Sequence, residues 1–231
     1  MKITKRELSK MIDVSVLKPE ADIKEIEEMC KVAKSYNFKV VYALPWYIPI
    51  IRNLLESTEV KIGAPIAFPF GGVPTEVKVY ETIKYLDLGA TEFDMVINLG
   101  ALKSGDYKLV YKDIEEVVKA AQDYVVKVIL ELPYLEENEV IEACKIAEDA
   151  GANFVKTSTG FAGYVPKVKD IYLMKRALRS NTQVKVAGGI RTIEQVFDLI
   201  KAGVTRFGVN MKSAIDIIEN FSQKYGEEYD F

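Results

Sequence analysis

The stretch AGANFVK, residues 150–156, ends one predicted helix and begins one predicted strand. The same layout recurs in LGATEFD (88–94) and AGVTRFG (202–208): a helix end, a glycine and a strand start that carries phenylalanine. A glycine just past a helix can take the left-handed cap conformation, which turns the chain back into a strand. Three such junctions in phase with the strand pattern indicate a repeating helix-to-strand unit, as in α/β proteins.

Outward from these junctions, short β-rich runs alternate with helical patterns along the chain. The runs predicted as strands are 12–17, 38–44, 60–68, 92–99, 125–132, 154–159, 184–189 and 206–210. The helical patterns between them include 22–36, 75–89, 113–124, 138–151, 169–180 and 192–203. Eight strands, each but the last clearly followed by a helix, predict an α/β fold of the (β/α)8 TIM-barrel type. An open doubly wound sheet shares this alternation and is the alternative.

Composition limits the classes of function. The chain has 231 residues, 49% hydrophobic and 28% charged, and no linker divides it, so we predict one barrel domain over residues 1–231. Its 31 basic and 34 acidic side chains give a net charge of −3, which does not favour binding to nucleic acid or to an anionic membrane. No signal-peptide core and no apolar run of the roughly 20 residues that span a bilayer are present, so we expect a cytoplasmic protein.

The sequence contains no histidine. This excludes Ser-His-Asp and Cys-His nucleophile systems and any zinc site that needs imidazole. Proton transfer must therefore use Asp, Glu, Lys, Tyr or Cys, and we expect neither a metal nor a cofactor. The two cysteines, Cys30 and Cys144, lie on the apolar sides of helical patterns and are predicted to be buried free thiols.

Three charged residues interrupt three predicted strands: Asp94 in EFDMVIN, Lys156 in FVKTST and Lys185 in VKVAGG. Taken singly, each can be a solvent-facing residue or half of a structural ion pair. Barrel strands are buried on both faces, however, so such charges are costly unless they meet one another. If they meet in the barrel mouth, repulsion between the ammonium groups and partial burial favour a neutral lysine. A neutral amine can form a Schiff base with a carbonyl, and the other two groups can relay protons.

Glycines follow the last three predicted strands, in STGF (158–161), AGGIRT (187–192) and FGVN (207–210). Residues without a Cβ expose backbone N–H groups, which can cradle an anion beside a helix N-terminus. A phosphate site near strands seven and eight recurs in barrels of this type, and Arg191 would add positive charge. The alternative is that these glycines serve only tight turns.

Several of these segments resemble the deoxyribose-phosphate aldolase family of class I aldolases. The resemblance is carried by EFDMVINLGALKSGDY (92–107), NFVKTSTGF (153–161) and VKVAGGIRT (184–192), and also by VLKPEA (16–21) and PFGGVPTEVKVYE (69–81). It covers nearly the whole chain in order. It implies a (β/α)8 barrel that reversibly cleaves 2-deoxy-D-ribose 5-phosphate to acetaldehyde and D-glyceraldehyde 3-phosphate through a lysine Schiff base. It also implies a homo-oligomer, a dimer or a tetramer.

Position by position, the resemblance implies that Lys156 is the Schiff-base lysine, Lys185 the lysine that perturbs it and Asp94 the aspartate of the proton relay. The family's substrate and phosphate contacts match Asp13, Thr159, Gly160, Gly188, Gly189 and Gly208. The family's C-terminal tyrosine has Tyr229 as its possible counterpart here.

The chain departs from the family pattern around the substrate. DVS (13–15) stands where Asp-His-Thr is frequent, and GVNM (208–211) stands where Gly-Ala-Ser-Ser is common. Asn210 can still hydrogen-bond, whereas Met211 cannot replace a serine hydroxyl, and Tyr42 takes a place usually held by cysteine. Two alternatives therefore stay open: an aldolase of the same mechanism with a different aldehyde substrate, and a barrel that only binds a sugar phosphate.

Overall fold

The computed structural model describes residues 2–179 and 181–231. Eight parallel strands close into a barrel in chain order, and its last strand pairs with its first. The barrel strands are β2 (Ile12–Val16), β3 (Val40–Ala43), β4 (Lys61–Ile66), β5 (Glu92–Val96), β6 (Val125–Ile129), β7 (Phe154–Lys156), β8 (Gln183–Ala187) and β9 (Val204–Asn210). The predicted (β/α)8 barrel is therefore confirmed, and the open sheet is wrong.

Helices surround the barrel. They are α1 (Lys5–Lys10), α2 (Ile23–Tyr36), α3 (Ile48–Leu54), α4 (Thr75–Leu88), α5 (Leu99–Lys103), α6 (Tyr107–Ala120), α7 (Glu137–Asp149), α8 (Val168–Ala177), α9 (Ile193–Lys201) and α10 (Met211–Tyr225). Helix α6 begins at Tyr107 rather than at 113 because the side chain of Asp106 accepts the backbone N–H of Leu109 and caps the helix there. In the described part of the chain, no helix has the length and apolar character needed to cross a membrane.

The three glycine junctions turn as the sequence predicts. Gly89, Gly151 and Gly203 follow α4, α7 and α9, with φ of +115°, +89° and +104°. Gly89 donates its N–H to the carbonyls of Tyr85 and Leu86, which closes the last turn of α4. The left-handed region favours glycine because it carries no Cβ. Each junction thus stops a helix and sends the chain back into the barrel.

Buried apolar side chains fill the space between the strands and the helices. Cys30 on α2 and Cys144 on α7 belong to this core, and both are free thiols, as predicted. Burial raises the pKa of the two thiols to about 11 and about 12, so they stay protonated and unreactive near neutral pH.

A small antiparallel sheet joins the two ends of the chain. Its strands are β1 (Lys2–Thr4) and β10 (Glu228–Asp230), with Ile3 opposite Tyr229. The ring of Tyr229 packs against Tyr225 and Phe197, at centroid distances of 3.9 and 5.1 Å. Because β1 leads through α1 into the start of β2, this sheet lies at the amino-terminal end of the barrel. Tyr229 is therefore remote from the carboxyl ends of the strands, where barrel active sites lie.

Candidate active site

A cavity of about 210 Å³ opens at the carboxyl ends of the barrel strands. Of the candidate site residues from the sequence, all but Tyr229 line it: Asp13, Asp94, Lys156, Thr159, Gly160, Lys185, Gly188, Gly189, Arg191, Gly208 and Asn210. Ser15, Leu17, Tyr42, Ala187, Ile190 and Val209 complete the wall. Residues from opposite ends of the chain thus meet in one place, because a closed barrel brings its first and last strands together.

Strand register places two of the three charged residues side by side, and the third reaches them across the barrel interior. Lys156 is the last residue of β7, and Lys185 lies directly across from it on β8. Asp94 on β5 is paired in register with Lys127 on β6. Alternate residues of a strand share a face, and the barrel interior is the face that these side chains share.

Asp94 contacts both lysines. Its Oδ2 accepts hydrogen bonds from Lys156 Nζ at 2.7 Å and from Lys185 Nζ at 2.8 Å. Lys185 Nζ also lies 2.6 Å from Oδ2 of Asp13. All four side chains are buried. Lys156 therefore shares its one carboxylate oxygen with a second ammonium group, whereas Lys185 contacts two carboxylates.

A further layer of charged side chains, which the prediction from the sequence does not include, lies within the barrel. Lys127 on β6 forms an ion pair with Glu92 on β5 and lies 3.3 Å from Oδ1 of Asp94. Arg206 on β9 places Nη1 2.8 Å from Asp13 Oδ1 and 3.3 Å from Glu92 Oε2. Lys127 carries the signal that identified Asp94, namely a charge among apolar residues in a strand, and that signal would have found it. Glu92 and Arg206 are each the first residue of a predicted strand and follow a threonine, so the signal is weaker there.

Ion pairs join these groups into one network. Its carboxylates are Asp13, Glu92 and Asp94, and its basic side chains are Lys127, Lys156, Lys185 and Arg206. If every group were charged, the basic side chains would outnumber the carboxylates. Lys156 is the basic residue of the network with the fewest carboxylate contacts. Loss of its proton therefore removes the excess positive charge with the smallest loss of ion-pair energy.

The electrostatics of the site agree with this contact pattern. Burial, followed by repulsion from the Lys185 ammonium, lowers the pKa of Lys156 to about 8, against the opposing attraction of Asp94. Burial also disfavours charge on Lys185, but Asp13 and Asp94 outweigh it and raise the pKa of Lys185 above its ordinary value. Although Asp94 is buried, Lys156 and Lys185 hold its pKa well below the usual range. Near neutral pH the Lys156 amine is therefore readily deprotonated, while Lys185 stays an ammonium group and Asp94 stays a carboxylate.

The glycines at the strand ends differ in what requires them. Gly188 and Gly189 have φ of +100° and +67°. A Cβ on Gly188 would lie 2.5 Å from the carbonyl oxygen of Tyr164, and one on Gly189 would lie 2.5 Å from Cγ2 of Val165. A Cβ on Gly208 would lie 3.3 Å from Cε of Lys185, so this glycine makes room for the lysine. The backbone of the Gly188–Gly189 turn thus lines the cavity without side chains of its own.

Two polar residues of the cavity wall are held by backbone hydrogen bonds. The N–H of Thr159 donates to Oε2 of Glu131 at 3.0 Å. Glu131 is buried and has φ of +59°, a left-handed conformation that is uncommon outside glycine, and sequence reasoning gave it no role. Asn210 caps α10, because its Oδ1 accepts the N–H of Ser213 at 2.9 Å. Arg191 is exposed at the rim of the cavity.

A buried lysine of lowered pKa, a second lysine and a shared aspartate at the mouth of a closed barrel are groups that can form and protonate a Schiff base, which is the chemistry of class I aldolases. The chain belongs to the DeoC/LacD family of aldolases, whose family model matches residues 6–211.

Individual relatives agree with this assignment. The chain is 44% identical over 219 residues to the deoxyribose-phosphate aldolase of Thermoanaerobacter sp. strain X514, covering 94% of this chain and 97% of that protein. It is 46% identical over 217 residues to the deoxyribose-phosphate aldolase of Thermococcus gammatolerans, covering 92% and 96%.

Solved structures show the same likeness. An aldolase called QR15 superposes with a TM-score of 0.88 at 36% identity, covering 94% of this chain and 96% of that one. A deoxyribose phosphate aldolase from Aeropyrum pernix, described as a tetramer, superposes with a TM-score of 0.85 at 31% identity, covering 95% and 92%.

Proposed function

We propose that the protein is a deoxyribose-phosphate aldolase that reversibly cleaves 2-deoxy-D-ribose 5-phosphate to D-glyceraldehyde 3-phosphate and acetaldehyde. The observation that carries the proposal is the position of Lys156. Its amine lines the cavity, shares Oδ2 of Asp94 with Lys185 and has a pKa lowered to about 8, chiefly by burial. The curated relatives at 44% and 46% identity, named for this activity, support the choice of substrate.

In this proposal the neutral amine of Lys156 attacks the C1 aldehyde of the open-chain sugar phosphate. Loss of water from the adduct gives a protonated imine. Removal of the proton from the C3 hydroxyl then breaks the C2–C3 bond, and the bonding electrons move into the imine to form an enamine. Glyceraldehyde 3-phosphate leaves, C2 of the enamine takes a proton, and water releases acetaldehyde. Asp94 and Lys185, 2.8 Å apart, are the groups proposed to carry these protons.

The remaining wall residues are proposed to hold the substrate. Backbone N–H groups at Gly160, Gly188, Gly189 and Gly208, with the Arg191 guanidinium and the NH2 group of Asn210, form the proposed phosphate site. Thr159 is proposed to contact the sugar. Asp13 is proposed to keep Lys185 charged, which its 2.6 Å contact with the Lys185 amine supports.

The test is reductive trapping. Borohydride added with acetaldehyde should leave a two-carbon adduct on the peptide that contains Lys156, and Lys156→Met should abolish it. Lys169→Met, which removes an exposed lysine from α8, is the matched control and should leave trapping unchanged. No adduct on the folded protein would favour the barrel that only binds a sugar phosphate. An adduct together with faster turnover of another aldehyde pair would favour a different natural substrate.

We also propose a homo-oligomer, either a dimer or a tetramer, in the cytoplasm. The tetramer described for the Aeropyrum pernix relative supports the assembly, and two buried free thiols are compatible with a reducing compartment. The net charge of −3 favours small-molecule substrates over nucleic acid as partners. Light scattering of the purified protein tests the assembly, and a mass of one chain, 26.0 kDa, would contradict it.

A further inference from the structure

Tyr42 lies among the reacting groups. It is buried on β3, lines the cavity, and donates its hydroxyl to Oδ1 of Asp94 at 2.6 Å. The opposite oxygen, Oδ2, serves Lys156 and Lys185. The two oxygens of the carboxylate therefore have separate partners, with the phenol on one side and both amines on the other.

The direction of this hydrogen bond is set by a second residue. Lys127 Nζ lies 2.7 Å from the phenol oxygen, and an ammonium group can only donate. The hydroxyl must therefore accept from Lys127 and direct its one proton to Asp94. Lys127 is itself held by its ion pair with Glu92. Burial, reinforced by the charge of Asp94, raises the pKa of Tyr42 well above its ordinary value, so the hydroxyl keeps this proton.

The neighbouring strand, β4, leaves space for the ring of Tyr42. Gly63 on β4 is the direct partner of Tyr42 in the register of the two strands. A Cβ on Gly63 would lie 2.3 Å from Cε1 and Cζ of the ring, and the backbone of Gly63 is not in the left-handed region. The glycine is thus required by space and not by conformation. The ring centroid also lies 4.4 Å from Lys185 Nζ, within the range of a cation–π contact.

We propose that Tyr42 is a positioning residue for the aldol reaction: it holds Oδ1 of Asp94, so that Oδ2 alone serves the amines of Lys156 and Lys185. This inference rests on the proposed aldolase function. Without the hydroxyl, the Lys127 ammonium, now 3.3 Å from Oδ1, closes on the carboxylate in its place. Asp94 then supports charge on Lys156 less well and is turned away from the geometry that Lys185 requires.

The test compares Tyr42→Phe with Tyr47→Phe. Tyr47 is buried in the same segment and donates its hydroxyl to the carbonyl of Ala21, outside the network, so it controls for the loss of a buried phenol. For Tyr42→Phe we expect kcat to fall about 10²-fold with KM changed less than about threefold. We also expect the pH midpoint of imine trapping, near 8 in the unaltered enzyme, to move down by about half a unit. Tyr47→Phe should change neither quantity.

A second comparison keeps the proposal testable if Tyr42→Phe folds poorly. Gly63→Ala should displace the ring and reduce kcat in the unaltered enzyme, but should have little further effect in Tyr42→Ala, where the space is empty. The proposal is overturned if Tyr42→Phe retains the original kcat and midpoint, or if Gly63→Ala is equally harmful in both backgrounds. Failure of acetaldehyde trapping in the unaltered enzyme would instead overturn the proposed function.

Discussion

Lys156 and Lys185 donate to the same oxygen of Asp94, at 2.7 and 2.8 Å, but only Lys185 has a second carboxylate, Asp13, at 2.6 Å. Two ammonium groups on one oxygen repel, and the one with fewer anionic neighbours gives up its proton first. This asymmetry accounts for the opposite directions of the two pKa shifts, down for Lys156 and up for Lys185. It also leaves Lys156 as the more readily deprotonated of the two amines, as its proposed role as nucleophile requires.

The first prediction concerns the pH dependence of imine formation. Only the neutral amine attacks, so trapping with acetaldehyde should rise with pH around a midpoint near 8. Lys185→Met removes a repelling charge and leaves Oδ2 of Asp94 to Lys156, so the midpoint should move up by about one unit. Cyanoborohydride trapping across a pH series measures it. Lys61→Met, at an exposed position on β4, should leave the midpoint in place. A midpoint that stays put in Lys185→Met would show that Lys185 does not set the pKa of Lys156.

The second prediction concerns stability in acid. Burial alone would raise the pKa of Asp13, but Lys185 and Arg206 lower it below its ordinary value. The folded state therefore gains stability from ionised Asp13 above the unfolded pKa, about 3.9, and loses it as the pH falls through the lower folded pKa. Asp13→Asn should lower the free energy of unfolding by about 3–5 kcal/mol at neutral pH and flatten its acid dependence.

Urea unfolding at several pH values measures both effects of Asp13→Asn. Asp106→Asn is the matched control, because Asp106 caps α6 at an exposed position and asparagine caps a helix equally well. Its unfolding curve should match that of the unaltered protein across neutral pH. An Asp13→Asn protein that keeps the full acid dependence would show that other carboxylates account for it.

The sequence predicts the barrel and its reacting groups because both depend on local patterns. Helix-to-strand junctions at Gly89, Gly151 and Gly203 are read from adjacent residues, and a lone charge in an apolar strand marks Asp94 or Lys156. Contacts across the barrel are not local. Asp13 and Arg206, hydrogen-bonded at 2.8 Å, are 193 residues apart in sequence. Their meeting depends on the closure and register of the barrel, which no short pattern contains.

Tyr42 shows the same limit in another form. From the sequence it is a departure in the part of the site that recognises substrate, whereas in the structure its hydroxyl contacts Asp94 directly. The contact reaches from β3 past β4 to β5, so it depends on the order of the barrel strands, and the small Gly63 on β4 leaves space for the ring. The sequence pattern shows no clear helix after the last strand, whereas α10 begins at Met211 and is capped by Asn210.

The third prediction separates the C-terminal strand from catalysis. Tyr229 packs on Phe197 and Tyr225 at the amino-terminal end of the barrel and does not line the cavity. Tyr229→Ala should therefore lower the free energy of unfolding by about 1–3 kcal/mol, while kcat changes less than about twofold. Tyr229→Phe keeps the ring and should change neither quantity. Thermal unfolding and steady-state kinetics measure the two effects. A large loss of kcat in a folded Tyr229→Phe enzyme would show that the tail reaches a catalytic site in the assembly.

The fourth prediction tests the phosphate site through Arg191, the exposed guanidinium at the cavity rim. If Arg191 binds the phosphate as proposed, Arg191→Met removes a charge-assisted hydrogen bond, so KM for 2-deoxyribose 5-phosphate should rise about tenfold with kcat nearly unchanged. Cleavage of unphosphorylated 2-deoxyribose, which lacks the anion, should be unaffected. Arg176→Met, at an exposed position on α8, is the matched control and should leave KM and kcat unchanged for both substrates. An equal loss of kcat/KM with both substrates would mean that Arg191 stabilises the cavity wall rather than binds the phosphate.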